Sequence, residues 1–448
     1  MLIRATCLFL LLSASAARGK PFVFVSLPDT QRYAEDLRAP DPLALDPAGT
    51  YRYFVDQTRW IADHAEDRDI RCVIHLGDVV QTSTDIPQWE RAKAAMDVIH
   101  DAGIPYGMCI GNHDLGKDRE HVYDTFLAYY GPQRYEGKPW FGGASPQKTS
   151  TYLVIPHESY QFLFLNLSYA TPEADVQWAH QVLAEHRDKI AIVSTHAYLW
   201  DTALTAGRYG ENVGLPGLSG RQKLNRSERV AGGMSSQQFY ESFVSQHPNI
   251  LMVQCGHSGL DWYRTSATNG AGLPVIEALT DYQILPNGGE GYLRIYEIDP
   301  EQGTLTASTY SPTKDRYRTS VEHFVQLIAL GMQIEDKVKK RGVDPKLFER
   351  IYLSFKRDAV PGRDIVGENP DYRQHRDRYL KIFEETFLGE KPSEVGLPED
   401  WESLWVKAFA ADPDHPEDYA PNQRSPSWSV PVELDRYIRA TTAATTAE

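Results

Sequence analysis

Residues 108–114, Met-Cys-Ile-Gly-Asn-His-Asp, end an apolar run on a glycine and then set an amide, an imidazole and a carboxylate side by side. Four other apolar runs stop in a similar way. Pro21–Leu27 leads to Asp29 and Gln31, Cys72–Leu76 to Gly77-Asp78, Ile190–Ser194 to His196, and Ile250–Cys255 to Gly256-His257. Open α/β sheets hold their ligands at the carboxyl ends of strands, so Asp29, Gln31, Asp78, Asn112, His113, Asp114, His196 and His257 are candidates for one shared site. Carboxylate, amide and neutral imidazole donors suit a divalent ion of the borderline or hard class, such as Mn, Fe, Zn or Mg. One such strand end is an ordinary turn; five in order are hard to obtain by chance.

The segments between these ends must carry them. Apolar residues recur at helical spacing in Tyr51–Asp67 (Phe54, Thr58, Ile61, Ala65), Ile86–Asp101 (Trp89, Ala92, Met96, Ile99) and Pro172–Arg187 (Val176, Ala179, Leu183). Pro28–Gln31 reads as a turn, and Pro105–Ile110 as the strand that delivers Asn112. Helices alternating with strands indicate an α/β core with parallel elements. Thr151–Ile155 and Gln161–Leu167 read as two further strands, and Gly291–Ile298 with Thr304–Tyr310 as an antiparallel pair about an Asp-Pro turn. Past Thr313 the pattern becomes helical, over Val321–Lys340, Lys346–Arg357 and Tyr379–Leu388, before a Thr/Ala tail at 441–448. The expected division is 1–19, 21–312 and a helical extension over 313–448.

The chain has 448 residues, 42% apolar and 24% charged, which is ample for a core. A formal charge of −15 without a basic stripe argues against sequence-independent nucleic-acid binding. Arg4, the apolar run Ala5–Leu12 and Ala14-Ser15-Ala16 have the order of a signal peptide over 1–19, so a secreted or periplasmic protein is expected. That run is too short to span a bilayer, and no membrane span is expected elsewhere. Cys72, Cys109 and Cys255 sit in or at the end of apolar runs and read as small buried hydrophobes. Between His196 and Ser236, Arg208, Arg221, Lys223, Arg226 and Arg229 outnumber Glu211 and Glu228, which reads as an ordinary solvated loop or, beside a metal site, as one that attracts an anionic substrate.

Taken in order, LPDTQ (27–31), HLGDVV (75–80), GNHD (111–114), STHAYL (194–199) and CGHSG (255–259) resemble the calcineurin-like metallophosphoesterases. Their pattern is Asp-x-His, Gly-Asp, Gly-Asn-His-Asp/Glu, an isolated His and Gly-His-x-His. The PDTQ opening and GGEGYLRIYEID (288–299) resemble a secreted bacterial branch in particular. The likeness covers residues 21–312 and implies a four-layer α/β/β/α sandwich holding one or two divalent metal ions. It implies that Asp29 and Gln31 hold the first metal, that Asp78 bridges, and that Asn112, His196 and His257 complete the second. His113 would protonate the leaving oxygen and Asp114 would orient its ring. The activity implied is hydrolysis of a small phosphorylated substrate, a monoester or diester, by a metal-activated water. Two positions depart from the pattern: Gln31 replaces a histidine, and Gly259 stands where the last first-metal ligand belongs, with Asp261 or Tyr263 as substitutes. That loss leaves a second reading, a metal-binding or ligand-binding protein on the same scaffold that no longer hydrolyses.

Overall fold

The computed structural model describes residues 20–38, 48–118, 121–202, 205–208, 234–257, 261–283, 285–318 and 427–438. In chain order the elements run β1 (Phe22–Leu27), α1 (Gln31–Glu35), α2 (Tyr51–His64), β2 (Ile70–His75), α3 (Ile86–Asp101), β3 (Tyr106–Met108), α4 (Asp124–Tyr130) and β4 (Phe141–Ala144). Then come β5 (Thr151–His157), β6 (Tyr160–Asn166), α5 (Glu173–Glu185), β7 (Ile190–Ser194), β8 (Leu199–Thr202), β9 (Thr205–Arg208), α6 (Ser236–Ser242) and β10 (Ile250–Cys255). The last are β11 (Trp262–Thr268), β12 (Pro274–Leu279), β13 (Leu293–Asp299), β14 (Thr304–Ser311), β15 (Arg316–Tyr317) and β16 (Ser427–Pro431).

Two sheets form the centre. The first runs β15-β14-β13-β1-β2-β3, with β16 also paired to β14, and the second runs β11-β12-β10-β7-β6-β5-β4. In the first, β1, β2 and β3 are parallel. In the second, β6, β7, β10 and β12 are parallel. Strand side chains alternate between faces, and the strands here bury both. Along β6, Phe162 and Phe164 belong to the core between the sheets, while Leu163 and Leu165 join Val176, Ala179 and Leu183 of α5. Phe22 stacks on Phe162 with ring centres 4.1 Å apart, and Phe24 meets Phe164 edge-on at 5.1 Å. Helices α2 and α3 pack on the outer side of the first sheet through Phe54, Ile61, Trp89 and Met96. The result is the four-layer α/β/β/α sandwich, with the parallel strands of both sheets delivering their carboxyl ends to one edge.

Residues beyond the expected boundary at 312 enter the first sheet: β15 pairs with β14, and so does β16, which buries Trp428 and Val430. The helices expected at Val321–Lys340, Lys346–Arg357 and Tyr379–Leu388 lie outside the described residues, as do 1–19 and most of the arginine-rich stretch. Among the described residues no helix is long and apolar enough to cross a membrane. Cys72, Cys109 and Cys255 are free and buried.

Candidate metal centre

Each candidate leaves a strand end and turns inward. The segment expected as a turn at Pro28–Gln31 becomes the start of α1, which fixes Gln31 at its first position. Asp29 and Gln31 are 2% exposed, Asp78 1%, Asn112 5% and His196 0%, so these polar groups are buried by design of the fold. Asp78 and His257 hold backbone φ values of 50° and 77°. Non-glycine residues at positive φ cost about 1–3 kcal/mol where the geometry is strained, and such residues gather at functional sites.

The second position implied by the resemblance is assembled. Asp78, His196 and His257 each present a donor atom within 4.8 Å of the others'. His196 Nε2 lies 3.2 Å from Asn112 Oδ1, 3.2 Å from Asp78 Oδ1 and 3.1 Å from His257 Nδ1. On its other side, His196 Nδ1 donates to the Leu76 carbonyl at 2.9 Å, which leaves Nε2 as the lone-pair nitrogen in the neutral ring. Nε2 therefore faces Asn112 Oδ1, Asp78 Oδ1 and His257 Nδ1 together, an arrangement that a proton on His196 or a bound cation satisfies. Two buried oxygens, Asp78 Oδ2 and Gln31 Oε1, have no hydrogen-bond partner. A bound divalent ion fits this donor set.

The electrostatics say the same. Burial alone would lower the His196 pKa, but the Asp78 and Asp29 carboxylates and its hydrogen bonds outweigh that and raise it to about 10. Burial pushes the Asp78 carboxyl up, yet His196, backed by His113 and His257, brings it down to about 2. The proton on His196 occupies the place of the missing charge. An ion must displace it, so binding near neutral pH is expected to release about one proton, with affinity falling about tenfold for each pH unit lowered below 10. Calorimetric titration in buffers of different ionisation enthalpy measures this, and release-free binding would contradict it.

Around the first position, Asp29 Oδ1 accepts the His257 amide at 3.0 Å, and burial with the nearby Asp281 carboxylate raises the Asp29 pKa well above the carboxylate range. The proposed substitutes for the missing histidine are elsewhere. Asp261 is locked in a buried ion pair with Arg294 and accepts from Tyr282, while Tyr263 stacks on Trp428 at 4.3 Å. Neither reaches Asp29, because both are used to join β11 to the first sheet. Gly259 itself lies outside the described residues.

His113 is half-buried, its amide bonded to Asp78 Oδ1 at 2.8 Å. Its ring is oriented by the Gln81 carbonyl, which accepts from Nδ1 at 2.8 Å. Asp114 does not orient it. The Asp114 carboxylate accepts instead from the amides of Val79 (2.9 Å), Val80 (3.1 Å) and Gly111 (2.8 Å), tying the Gly-Asp turn to the Gly-Asn-His-Asp turn. Its acidic side chain is short and faces back beneath the loop, so it meets backbone N–H groups before it can meet the ring. Leaving three buried donors unpaired at about 1–3 kcal/mol each, Asp114→Ala is expected to lower stability by about 3 kcal/mol or more in urea unfolding.

His75 braces the same turns from below: its Nδ1 accepts from Gly77 N at 3.2 Å and its Nε2 meets Thr30 Oγ1 at 2.9 Å. Burial lowers its pKa to about 3, so it stays neutral. Tyr169, not anticipated from sequence, lays its ring against both His196 and His257, with centres 5.9 and 5.8 Å apart. A cavity of about 380 Å³ opens beside these groups, lined by Gln81, Ser83, Asn112, His113, Lys117 and Tyr169 among others.

The family model for calcineurin-like phosphoesterases matches residues 29–259, more than half of the chain and the span that holds Asp29, Gln31, Asp78, Asn112, His196 and His257. This chain belongs to the calcineurin-like phosphoesterase family. An uncharacterized protein of Bacillus subtilis (strain 168), YvnB, is 30% identical over 389 residues, which are 84% of this chain and 27% of that one. The chain thus spans about a quarter of the length of the curated relative it matches. Among solved structures, a dimetal phosphatase from Danio rerio is 13% identical, covering 66% of this phosphoesterase-family chain and 98% of its own, with a TM-score of 0.40. The purple acid phosphatase PPD1 from yellow lupin (Lupinus luteus) seeds is 14% identical, covering 67% and 53%, with a TM-score of 0.39.

Proposed function

We propose that this protein is a metal-dependent hydrolase of small phosphoesters, working outside the cytoplasm as a secreted or periplasmic enzyme. The observation that carries the reading is the convergence of Asp78, Asn112, His196 and His257 on one point, a donor set that fits a divalent ion. Held there by these residues, a divalent ion would supply a coordinated water of lowered pKa and neutralise phosphate oxygens.

The chain's own residues do the rest. Asn112 lines the cavity as well as facing His196, so it would contact the phosphate end of a bound substrate. Lys117, exposed on the cavity wall, adds positive charge for the phosphoryl group. With the Nδ1 hydrogen committed to the Gln81 carbonyl, the protonated form of the His113 ring carries its second, transferable proton on Nε2, from which it can protonate the leaving oxygen. A general acid of this kind contributes about 10²–10⁴-fold, so His113→Ala is expected to lower kcat by about that factor while leaving metal content unchanged. The loss should be largest for substrates with poor leaving groups. Parallel assays on a nitrophenyl phosphate and a bis-nitrophenyl phosphate test this and separate monoester from diester preference. Full activity in His113→Ala on both would remove the acid from the account. The signal-like order at Arg4–Ala16 supports export, and cell fractionation that finds the protein in the cytoplasm would contradict it.

A further inference from the structure

The loop that follows β12, Thr280–Gln283, carries two side chains into the first metal position. Because β12 runs parallel to β10, its carboxyl end emerges at the same edge as that of the strand bearing His257. Asp281 is fully buried, and its Oδ1 accepts the amide of Gln283 at 2.9 Å, which pins the carboxylate within its own turn. Its Oδ2 points at the Gln283 side-chain nitrogen, 3.2 Å away. That same nitrogen lies 3.0 Å from Asp29 Oδ2 and 3.0 Å from the His257 carbonyl, while Gln283 Oε1 meets Gln31 Nε2.

An amide nitrogen carries two hydrogens, yet three acceptors surround this one and two of them are carboxylates. Among the described residues no lysine or arginine pairs with Asp29 or Asp281, and burying carboxylates without a counter-charge is costly. Gln31 Oε1, at the same point and almost wholly buried, has no partner. The Gln283 nitrogen lies between the two carboxylates, at the place a cation would take.

We propose that Asp281 is a metal ligand, supplying to the first position, beside Asp29 and Asp78, the donor that Gly259 no longer provides. The position so completed is rich in oxygen, with three carboxylates and the Gln31 amide, and suits a hard ion such as Mn²⁺. The second position, with two imidazoles, accepts either. The proposal rests on reading this edge as the family's two-metal centre.

Mn²⁺ titration of the chelated full chain, read by calorimetry and by elemental analysis of the equilibrated protein, tests it. The unmodified protein should take up two ions. Asp281→Asn, nearly isosteric, should keep one and bind the other more than about 100-fold more weakly, beyond the 10–100-fold cost of losing an outer contact. Two ions bound by Asp281→Asn with unchanged affinity, or a single ion bound by the unmodified chain, would overturn the proposal. If Asp281→Asn does not fold, anomalous scattering from Mn²⁺-loaded crystals of the unmodified protein decides. A peak bonded to Asp281 supports the assignment, and a peak on Asp29 and Asp78 alone refutes it. Two ions bound through Asp281 without phosphoester cleavage would sink the proposed activity and leave this assignment standing.

Discussion

Asp78→Asn is expected to abolish measurable hydrolysis and to weaken metal binding by roughly two to four orders of magnitude, the equivalent of about 3–5 kcal/mol lost when one partner of a buried charged set is removed. The substitution keeps size and shape, and asparagine tolerates the positive φ that Asp78 adopts, so the turn itself should survive. What disappears is the negative charge. Asp78 Oδ1 holds the His113 amide and faces His196 Nε2, while Oδ2 is buried without a partner. An asparagine keeps one oxygen for His113 but offers an amide where the second carboxylate oxygen stood. With the anion gone, burial regains control of His196 and its pKa should fall from about 10 toward the acid range. NMR titration of the imidazole in the metal-free variant measures that shift. A His196 that still titrates near 10, or a variant that binds Mn²⁺ as tightly as the unmodified protein, would remove Asp78 from the centre of the site.

Gly111→Ala should be nearly as damaging, although it touches no ligand atom by chemistry. A Cβ on Gly111 would fall on the Asp78 amide nitrogen and Oδ1, far inside contact distance, and 2.7 Å from Asp78 Cα. Neither side can retreat easily. The Asp78 carbonyl accepts from Thr30 N at 3.2 Å, and the Gly111 amide is held by Asp114 at 2.8 Å. Overpacking of this kind costs about 1–3 kcal/mol and occasionally more, and here the strain is applied to the Asp78 carboxylate itself. The expected result is a destabilisation of about 3 kcal/mol in urea unfolding together with a Mn²⁺ affinity reduced by at least about 100-fold. A variant that is merely destabilised, with metal affinity intact, would show that the crossing of the two turns is structural only. Gly256 makes the equivalent approach to Asp29 Oδ1, so a side chain is excluded there as well.

The part of the fold that reached the page from sequence is the part written in local pattern. The five strand ends and helices α2, α3 and α5 are regular, and their ligands sit immediately after apolar runs. What escaped depends on partners distant in the chain. Strand β12 carries Glu277 in its middle, which breaks the apolar run. The carboxylate is nonetheless fully buried, because Arg264 Nε reaches it at 2.6 Å and Tyr198 donates to it. Missing that strand meant missing Asp281 and Gln283 at its end. Strand β16 was equally hidden. Its alternation of Trp428 and Val430 is short, and the β14 strand it joins lies more than a hundred residues earlier. Its arrival explains why Tyr263 is a stacking partner and no ligand. The role expected of Asp114 failed for a different reason: a carboxylate next to a histidine in sequence need not face its ring, and the backbone amides of two turns claimed this one first.

The most direct test of the central claim is hydrolysis of a bis-nitrophenyl phosphate and a nitrophenyl phosphate by the full chain before chelation, after it, and after Mn²⁺ is restored. The site described here predicts activity that vanishes with the ion and returns with it. Hydrolysis that survives complete removal of metal, or no hydrolysis of either ester by fully loaded protein, would contradict it.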